Sequence, residues 1–200
     1  MKLISTGIPY VAVFIGLYIL RSAWAAILLY HFGIALFLIA DDKGRSLKKI
    51  RSGYNSIITI GSCAVCVLIV PTIFLLWQHM QLEDTSLKVK LMDFGLQGTS
   101  WYFFMVYFST VQPFLEELYW RGYLDSKHRY LSWSDLAFAG YHMFVLVWFI
   151  KLPWLVVSFI VLSIAAWASR YAVHKLGGLA VPLLSHIVSD ISIMGVVYIL

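Results

Sequence analysis

The sequence predicts an all-α protein, a polytopic bundle of membrane-spanning helices that forms one domain over residues 1–200. Hydrophobic residues make up 61% of the 200-residue chain and charged residues only 12%, whereas a soluble domain has about 25% charged residues. The apolar residues lie in seven runs, most of them close to the length of about 20 residues that crosses a bilayer. Basic residues fall mostly between these runs, as they do in the loops of membrane proteins.

The seven apolar runs define the predicted helices. They are Leu3–Leu20, Ser22–Ala40, Tyr54–Trp77, Thr99–Trp120, Ser134–Ile150, Leu152–Tyr171 and Gly178–Leu200. The first two runs meet at Arg21 and Ser22, so they form either a tight helical hairpin or one long tilted helix, and the total is seven helices or six. We expect the hairpin.

The N-terminal run has some features of a secretory signal peptide, and Ala23-Trp24-Ala25 resembles a cleavage site. We expect a retained first span, because only Lys2 precedes the run as a basic residue and the chain stays apolar after the apparent site.

The third run contains Cys63 and Cys66 in a C-x-x-C pattern. A redox motif of this type belongs near a βαβ unit, and a zinc site needs further ligands. We interpret the pair as two small residues on one face of an apolar helix.

The single long loop, Gln78–Gly98, alternates apolar and charged residues in its "MQLEDTSLKVKLMDFGL" portion. This pattern predicts a short amphipathic helix at the membrane interface.

The basic residues orient the bundle. Segment Asp41–Gly53 holds five of the fifteen Lys and Arg residues and is therefore predicted to be cytoplasmic. Alternating the helices outward from this segment places eleven basic residues inside and four outside. The four outside are Arg21, Lys88, Lys90 and Lys151. The net charge of +5 thus follows from topology, and we expect no nucleic-acid partner.

Six Glu, Asp and His side chains lie inside the predicted spans, more than two residues from the end of a run. They are His31, Glu116, Glu117, His142, His186 and Asp190. Such residues are unfavourable in a bilayer and usually face the interior of the bundle. At a helical rise of about 1.5 Å per residue, Glu116 lies about 7–8 Å from the cytoplasmic edge and the histidines of the fifth and seventh runs about 12 Å. Asp190 lies one turn deeper. We interpret His31 as a satisfied polar residue of the bundle.

The stretch "FLEELYWRGYL", residues 114–124, places two glutamates at the end of the fourth run. Glu117 and Arg121 are four residues apart, which favours an ion pair near the interface. Glu116 points about 100° away from Glu117 on a helix and is free to face the bundle, where it suits a general base. The alternative is that both glutamates only cap and neutralise the helix end.

Two further pairs share helical faces. Phe138 and His142 are four residues apart, so the two rings can pack together. His186 and Asp190 have the same spacing and can hydrogen-bond, which would fix the tautomer of the histidine. A carboxylate behind a histidine is also typical of metal sites, so zinc remains an alternative at this point.

Together the residues spell E-E-x-x-x-R, F-x-x-x-H and H-x-x-x-D on successive predicted membrane helices. This combination resembles the CAAX protease and bacteriocin-processing family, the glutamic-type intramembrane endopeptidases related to the type II CAAX prenyl protease. The resemblance covers residues 99–194, which would form the catalytic core, and the first three runs carry no family motif.

The resemblance implies a mechanism and a set of roles. Glu116 and His142 would activate a water for attack on the scissile carbonyl, and His186 and Asp190 would stabilise the oxyanion. The supporting residues would be Glu117, Arg121 and Phe138. A metal-free mechanism is implied, so no cofactor is expected. The prenyl-protease branch has Asn at the place of Asp190; an Asn can donate to an oxyanion whereas an ionised Asp cannot. Asp190 would therefore be protonated or would act indirectly by orienting His186, and we expect the orienting role, because the two residues lie one helical turn apart.

The leading hypothesis is therefore a multi-pass enzyme of the cell membrane, an intramembrane peptidase that cleaves a membrane-associated peptide or protein near the cytoplasmic face. The alternative is a non-catalytic membrane scaffold, regulator or bacteriocin-immunity protein of the same family. A proton-coupled transporter would instead have ionisable residues strung through the whole bilayer, whereas here they cluster in one half.

Overall fold

The computed structural model describes residues 2–82 and 86–200, and the described residues form eight helices and several short turns. The helices are α1 Ile8–Ile19, α2 Ala23–Asp42, α3 Ser56–Met80, α4 Leu87–Asp93, α5 Gly98–Glu116, α6 Trp133–Leu146, α7 Leu152–Leu176 and α8 Ala180–Ile199. Helix α5 continues without a break as a π-helix, Glu117–Tyr123. The predicted all-helical bundle is confirmed.

Four of the described helices are long and apolar enough to cross a membrane, namely α2, α3, α7 and α8. Helix α1 is apolar but shorter. Of the polar residues singled out above, α5 carries Glu116 and α6 carries His142. Each of the seven predicted runs corresponds to one helix of the fold, and the eighth helix, α4, lies in the predicted long loop. Residues 83–85 of that loop lie outside the described residues.

The first two runs are separate helices, as expected. Arg21 adopts a left-handed conformation with φ 50°, and Ser22 then caps α2 by accepting a hydrogen bond from the Ala25 amide at 3.2 Å. The two helices cross closely, since a Cβ on Gly16 would lie 2.3 Å from the Ala26 Cα. The Gly16 position therefore requires glycine, and the hairpin is tight.

The segments that the charge pattern assigns to one side of the membrane meet at one end of the bundle. Gly122 lies against Ser46, and the Leu179 amide donates to the Lys49 carbonyl at 2.9 Å. We call this the basic end. At the opposite end the Ala23 amide donates to the Phe94 carbonyl at 3.0 Å, and the Lys151 amide to the Met80 carbonyl at 2.9 Å. The predicted alternation of the helices is thus consistent with the packing.

Helix α3 lies at the edge of the bundle and packs mainly on α8. Only 6% of the residues in its most apolar stretch are buried, so most of its surface is left for the bilayer to cover. Pro71 lacks the amide that would bond one turn back, and the α-helix is interrupted at Leu68. Cys63 and Cys66 are free and partly buried, as expected for small residues on an apolar helix.

A core of aromatic side chains joins α2, α5 and α6. Its members next to the predicted site are Tyr30, Trp120, Phe138 and Tyr141, each at most 4% exposed. The Trp120 indole donates to the Tyr30 hydroxyl at 2.8 Å, and its ring stacks parallel to that of Tyr141 at 6.0 Å. This cluster forms the wall against which the ionisable residues lie.

Candidate active site

Both glutamates at the end of α5 and the start of the π-helix are buried, Glu116 completely and Glu117 to 98%. The change from α-helix to π-helix falls between them. Pro113 precedes this junction by one turn and leaves the helix without one amide, and π-turns of this kind are common at functional sites. The Glu117 side chain is thus enclosed by the bundle, and its predicted depth near the interface stays a prediction.

Glu117 pairs with Arg121 as predicted, with the Arg121 Nη1 3.2 Å from Oε1. The guanidinium is itself only 4% exposed and lies over the Phe138 ring at 4.2 Å. Arg121 therefore lies inside the bundle rather than at its surface. The helix runs on for seven residues beyond Glu116, to Tyr123.

His186 is oriented by Glu117. Its Nδ1–H donates to the Glu117 Oε1 at 2.8 Å, so a carboxylate from a different helix fixes the ring. Its Nε2 lies 3.6 Å from the Glu116 Oε2 and 3.7 Å from the Asp190 Oδ1. The predicted hydrogen bond between His186 and Asp190 is not formed, because Nε2 is too far from Asp190 for one while Glu117 holds Nδ1 and with it the position of the ring.

His142 joins the site through a neighbouring tyrosine. Its Nδ1–H donates to the Phe138 carbonyl one turn back at 2.8 Å, which directs Nε2 toward the Tyr141 hydroxyl at 3.2 Å. That hydroxyl also makes a short hydrogen bond to the Glu116 Oε1. The predicted residues His142 and Glu116 are thus brought together, with Tyr141 between them. Sequence reasoning missed Tyr141, and the only available signal was a tyrosine directly before the motif histidine.

Phe138 packs beside both imidazoles, with its ring centroid 4.7 Å from that of His142 and 6.3 Å from that of His186. The predicted Phe138–His142 contact is therefore formed. His31 lies apart from these contacts; it is buried, and its Nδ1 hydrogen-bonds with the Tyr107 hydroxyl at 2.8 Å, in line with a satisfied polar residue.

The zinc alternative depends on which histidine nitrogens are left to bind a metal. The Nδ1 atoms of both site histidines are engaged in hydrogen bonds, as the outer nitrogens of metal-bound histidines also are, and the Nε2 of His142 contacts a hydroxyl. Over residues 2–82 and 86–200, no three His, Cys, Asp or Glu side chains are grouped so that they could hold a metal ion. The side chains instead pair with one another.

A second buried ionic cluster lies at the basic end, and the sequence pattern did not indicate it. The Arg170 Nη2 lies 2.7 Å from the Asp135 Oδ2, and both side chains are almost completely buried. The guanidinium also donates to three loop carbonyls, those of Ser126, His128 and Tyr130. Arg170 therefore fastens the segment between α5 and α6 to α7, and with it the start of the helix that carries His142.

Comparison with known proteins gives one match. Residues 98–192 match the family model described as type II CAAX prenyl endopeptidase Rce1-like. No curated protein and no solved structure matches the chain significantly. The matched segment runs from the start of α5 into α8 and contains every motif residue. The family recognised from the three motifs is thereby confirmed over the C-terminal half of the chain.

Proposed function

We propose that this chain, whose residues 98–192 belong to the CAAX protease family, is an intramembrane peptidase that uses Glu116 as a general base on water. One observation carries the proposal. The Glu116 Oε2 is buried, accepts no hydrogen bond from the described residues, and lies 3.6 Å from the His186 Nε2. A reacting oxygen can therefore lie within hydrogen-bond distance of Oε2 and of the imidazole at once.

The arrangement supports the following steps. Glu116 takes a proton from water through Oε2 as the water oxygen adds to the scissile carbonyl carbon. The carbonyl oxygen becomes an oxyanion, to which His186 donates through Nε2–H. The carboxylate of Glu117, bound at Nδ1, balances the charge of that imidazolium. Collapse of the tetrahedral intermediate breaks the C–N bond, and protonated Glu116 returns its proton to the leaving amine.

Asp190 is assigned to the oxyanion rather than to the orientation of His186, since Glu117 performs that orientation. Its carboxyl is buried, and Oδ2 accepts no hydrogen bond within the described part of the chain. A protonated Asp donates one hydrogen bond, and the Asn of the prenyl-protease branch donates through its amide. Either side chain can therefore occupy this place.

Asp190→Asn should keep most of the activity. Wild-type activity should fall as rising pH ionises Asp190, because an ionised carboxylate cannot donate, whereas the Asn variant should hold its rate over that range. Rate–pH profiles of the two proteins measure this, with Asp190→Leu as the control that removes the donor at every pH. A loss in Asp190→Asn as large as that in Asp190→Leu would overturn the donor role.

The active site is proposed to open toward the cytoplasm, because it lies in the half of the bundle nearest the basic end. Single cysteines at the exposed positions Lys48 and Ser86, in a chain with Cys63→Ala and Cys66→Ala, test this. An impermeant thiol reagent applied to whole cells should modify Ser86→Cys at once and Lys48→Cys only after the membrane is permeabilised. The reverse pattern would invert the topology.

The test of the function itself is a proteomic comparison of membranes that contain the wild-type chain or Glu116→Ala. A substrate should accumulate in its uncleaved form only in the variant. If the two proteomes have the same cleavage products while both proteins are present at equal levels, the chain does not act as a peptidase, and the scaffold alternative holds.

A further inference from the structure

The Tyr141 hydroxyl stands between the two groups that the resemblance assigns to water activation. It contacts the Glu116 Oε1 on one side and the His142 Nε2 on the other. Tyr141 is 3% exposed. The hydroxyl therefore occupies the place where a water shared directly by Glu116 and His142 would have to lie.

We propose that Tyr141 is a positioning residue, which reserves Oε2 of Glu116 for the reacting water and through which His142 acts on Glu116. This rests on the proposed function for its catalytic part only; the coupling of the two side chains through Tyr141 stands on the contacts alone. With Oε1 held by the phenol, the oxygen left free is the one that faces His186.

Hydrogen-bond counting explains the coupling. A phenol has one proton to donate. When Tyr141 donates to Glu116, its oxygen can accept only from a protonated Nε2 of His142. When it donates to a neutral His142, the oxygen can accept only from a protonated Glu116. The two states differ by one proton passed along the three groups, so the protonation of His142 decides whether Glu116 is stabilised as a base.

The surrounding packing holds the hydroxyl in this position. The ring stacks on Trp120 and lies 5.4 Å from Tyr30. Helix α6 is held against α1 at the preceding turn, where the Tyr10 hydroxyl donates to the Ala137 carbonyl at 2.9 Å. A Cβ on Gly140 would clash with that hydroxyl at 2.3 Å, so glycine before Tyr141 allows this close approach.

The coupling can be measured without a substrate. Protein with ¹⁵N-labelled histidine in detergent micelles is compared by NMR as wild type, Tyr141→Phe, Glu116→Gln and the double variant. The Nε2 resonance of His142 is assigned by its loss in His142→Gln. Glu116→Gln should shift this resonance in the wild-type background and leave it unmoved when Tyr141 is Phe. An equal shift in both backgrounds would show that Glu116 and His142 interact without the phenol, and would overturn the proposal.

Tyr107→Phe is the matched control, because Tyr107 also contacts a buried histidine, His31, and the substitution likewise removes one hydroxyl. It should move the His31 resonance and leave that of His142 in place. Tyr141→Phe keeps the stacked ring, and its thermal unfolding should match that of Tyr107→Phe.

Where a cleavable substrate is in hand, Tyr141→Phe should lower kcat by about 10²-fold, the scale of a misplaced catalytic group, with little change in KM. Its kcat–pH profile should change shape, and His142→Gln should add no further loss in the Tyr141→Phe background. Full additivity of the two losses would contradict the proposal. A wild-type chain without peptidase activity would contradict the proposed function, while the NMR comparison would still decide whether Tyr141 couples Glu116 to His142.

Discussion

Glu116→Gln should lower the rate of proteolysis by at least ~10²-fold, the usual contribution of general-base catalysis, while the protein remains folded. The amide has the shape of the carboxylate, and its oxygen can still accept the hydrogen bond from Tyr141 at the Oε1 position. It cannot take a proton from water. The substrate identified by the membrane proteome, cleaved by purified enzyme in detergent, provides the rate.

Glu117→Gln is the matched control for that experiment, since it makes the same substitution on the adjacent residue. Glu117 binds both Arg121 and the Nδ1 of His186, so its amide variant should unfold at lower temperature and also lose activity. Glu116→Gln should lose activity at nearly unchanged stability. A Glu116→Gln enzyme that retains a tenth or more of the wild-type rate would exclude Glu116 as the base.

Much of the fold follows from the sequence because the length of an apolar run directly predicts a membrane helix. The hairpin at Arg21 and Ser22 was predictable, since a cation followed by a capping serine interrupts two runs that are each long enough. The basic loops predicted which segments share an end of the bundle. The burial of Arg121 was not predictable, because a basic residue at the end of a run suggests an exposed position at an interface, and only tertiary packing reveals that the helix continues.

The site was predictable within each helix and less so between helices. The spacing of Glu117 and Arg121 places them on one face, and they pair. The same spacing in His186 and Asp190 predicted a hydrogen bond that is absent, because Glu117 reaches His186 from another helix at 2.8 Å. Spacing rules within a helix do not predict a contact between residues 69 positions apart. The role of Tyr141 was not predicted for the same reason, since it depends on where Glu116 lies.

The Asp135–Arg170 cluster was also outside the reach of sequence patterns. Its two residues lie 35 positions apart, and Arg170 has the appearance of an ordinary basic residue at the cytoplasmic end of a span. Its burial and its fork of five N–H donors explain why arginine stands there. A planar guanidinium can bind a carboxylate and several loop carbonyls at once, which lysine cannot.

Arg170→Met should therefore destabilise the protein by about 3–5 kcal/mol, the usual effect of removing one partner of a buried ion pair. Asp135 would be left as a buried charge without its cation, and the carbonyls of the loop before α6 would lose their donor. Unfolding in detergent, followed by circular dichroism, measures the change. Lys175→Met is the control, because Lys175 lies on the same helix near the same end and is exposed, and it should unfold like the wild type.

The double variant Asp135→Asn with Arg170→Met separates the two parts of this effect. Removing the carboxylate charge should restore part of the lost stability, because an amide is less unfavourable than an unpaired carboxylate in the same buried place. The loop carbonyls would still lack their donor, so the recovery should be incomplete. If Arg170→Met unfolds like Lys175→Met, the loop is held by other contacts. If the double variant is less stable than Arg170→Met, the unpaired carboxylate is not what destabilises the single variant.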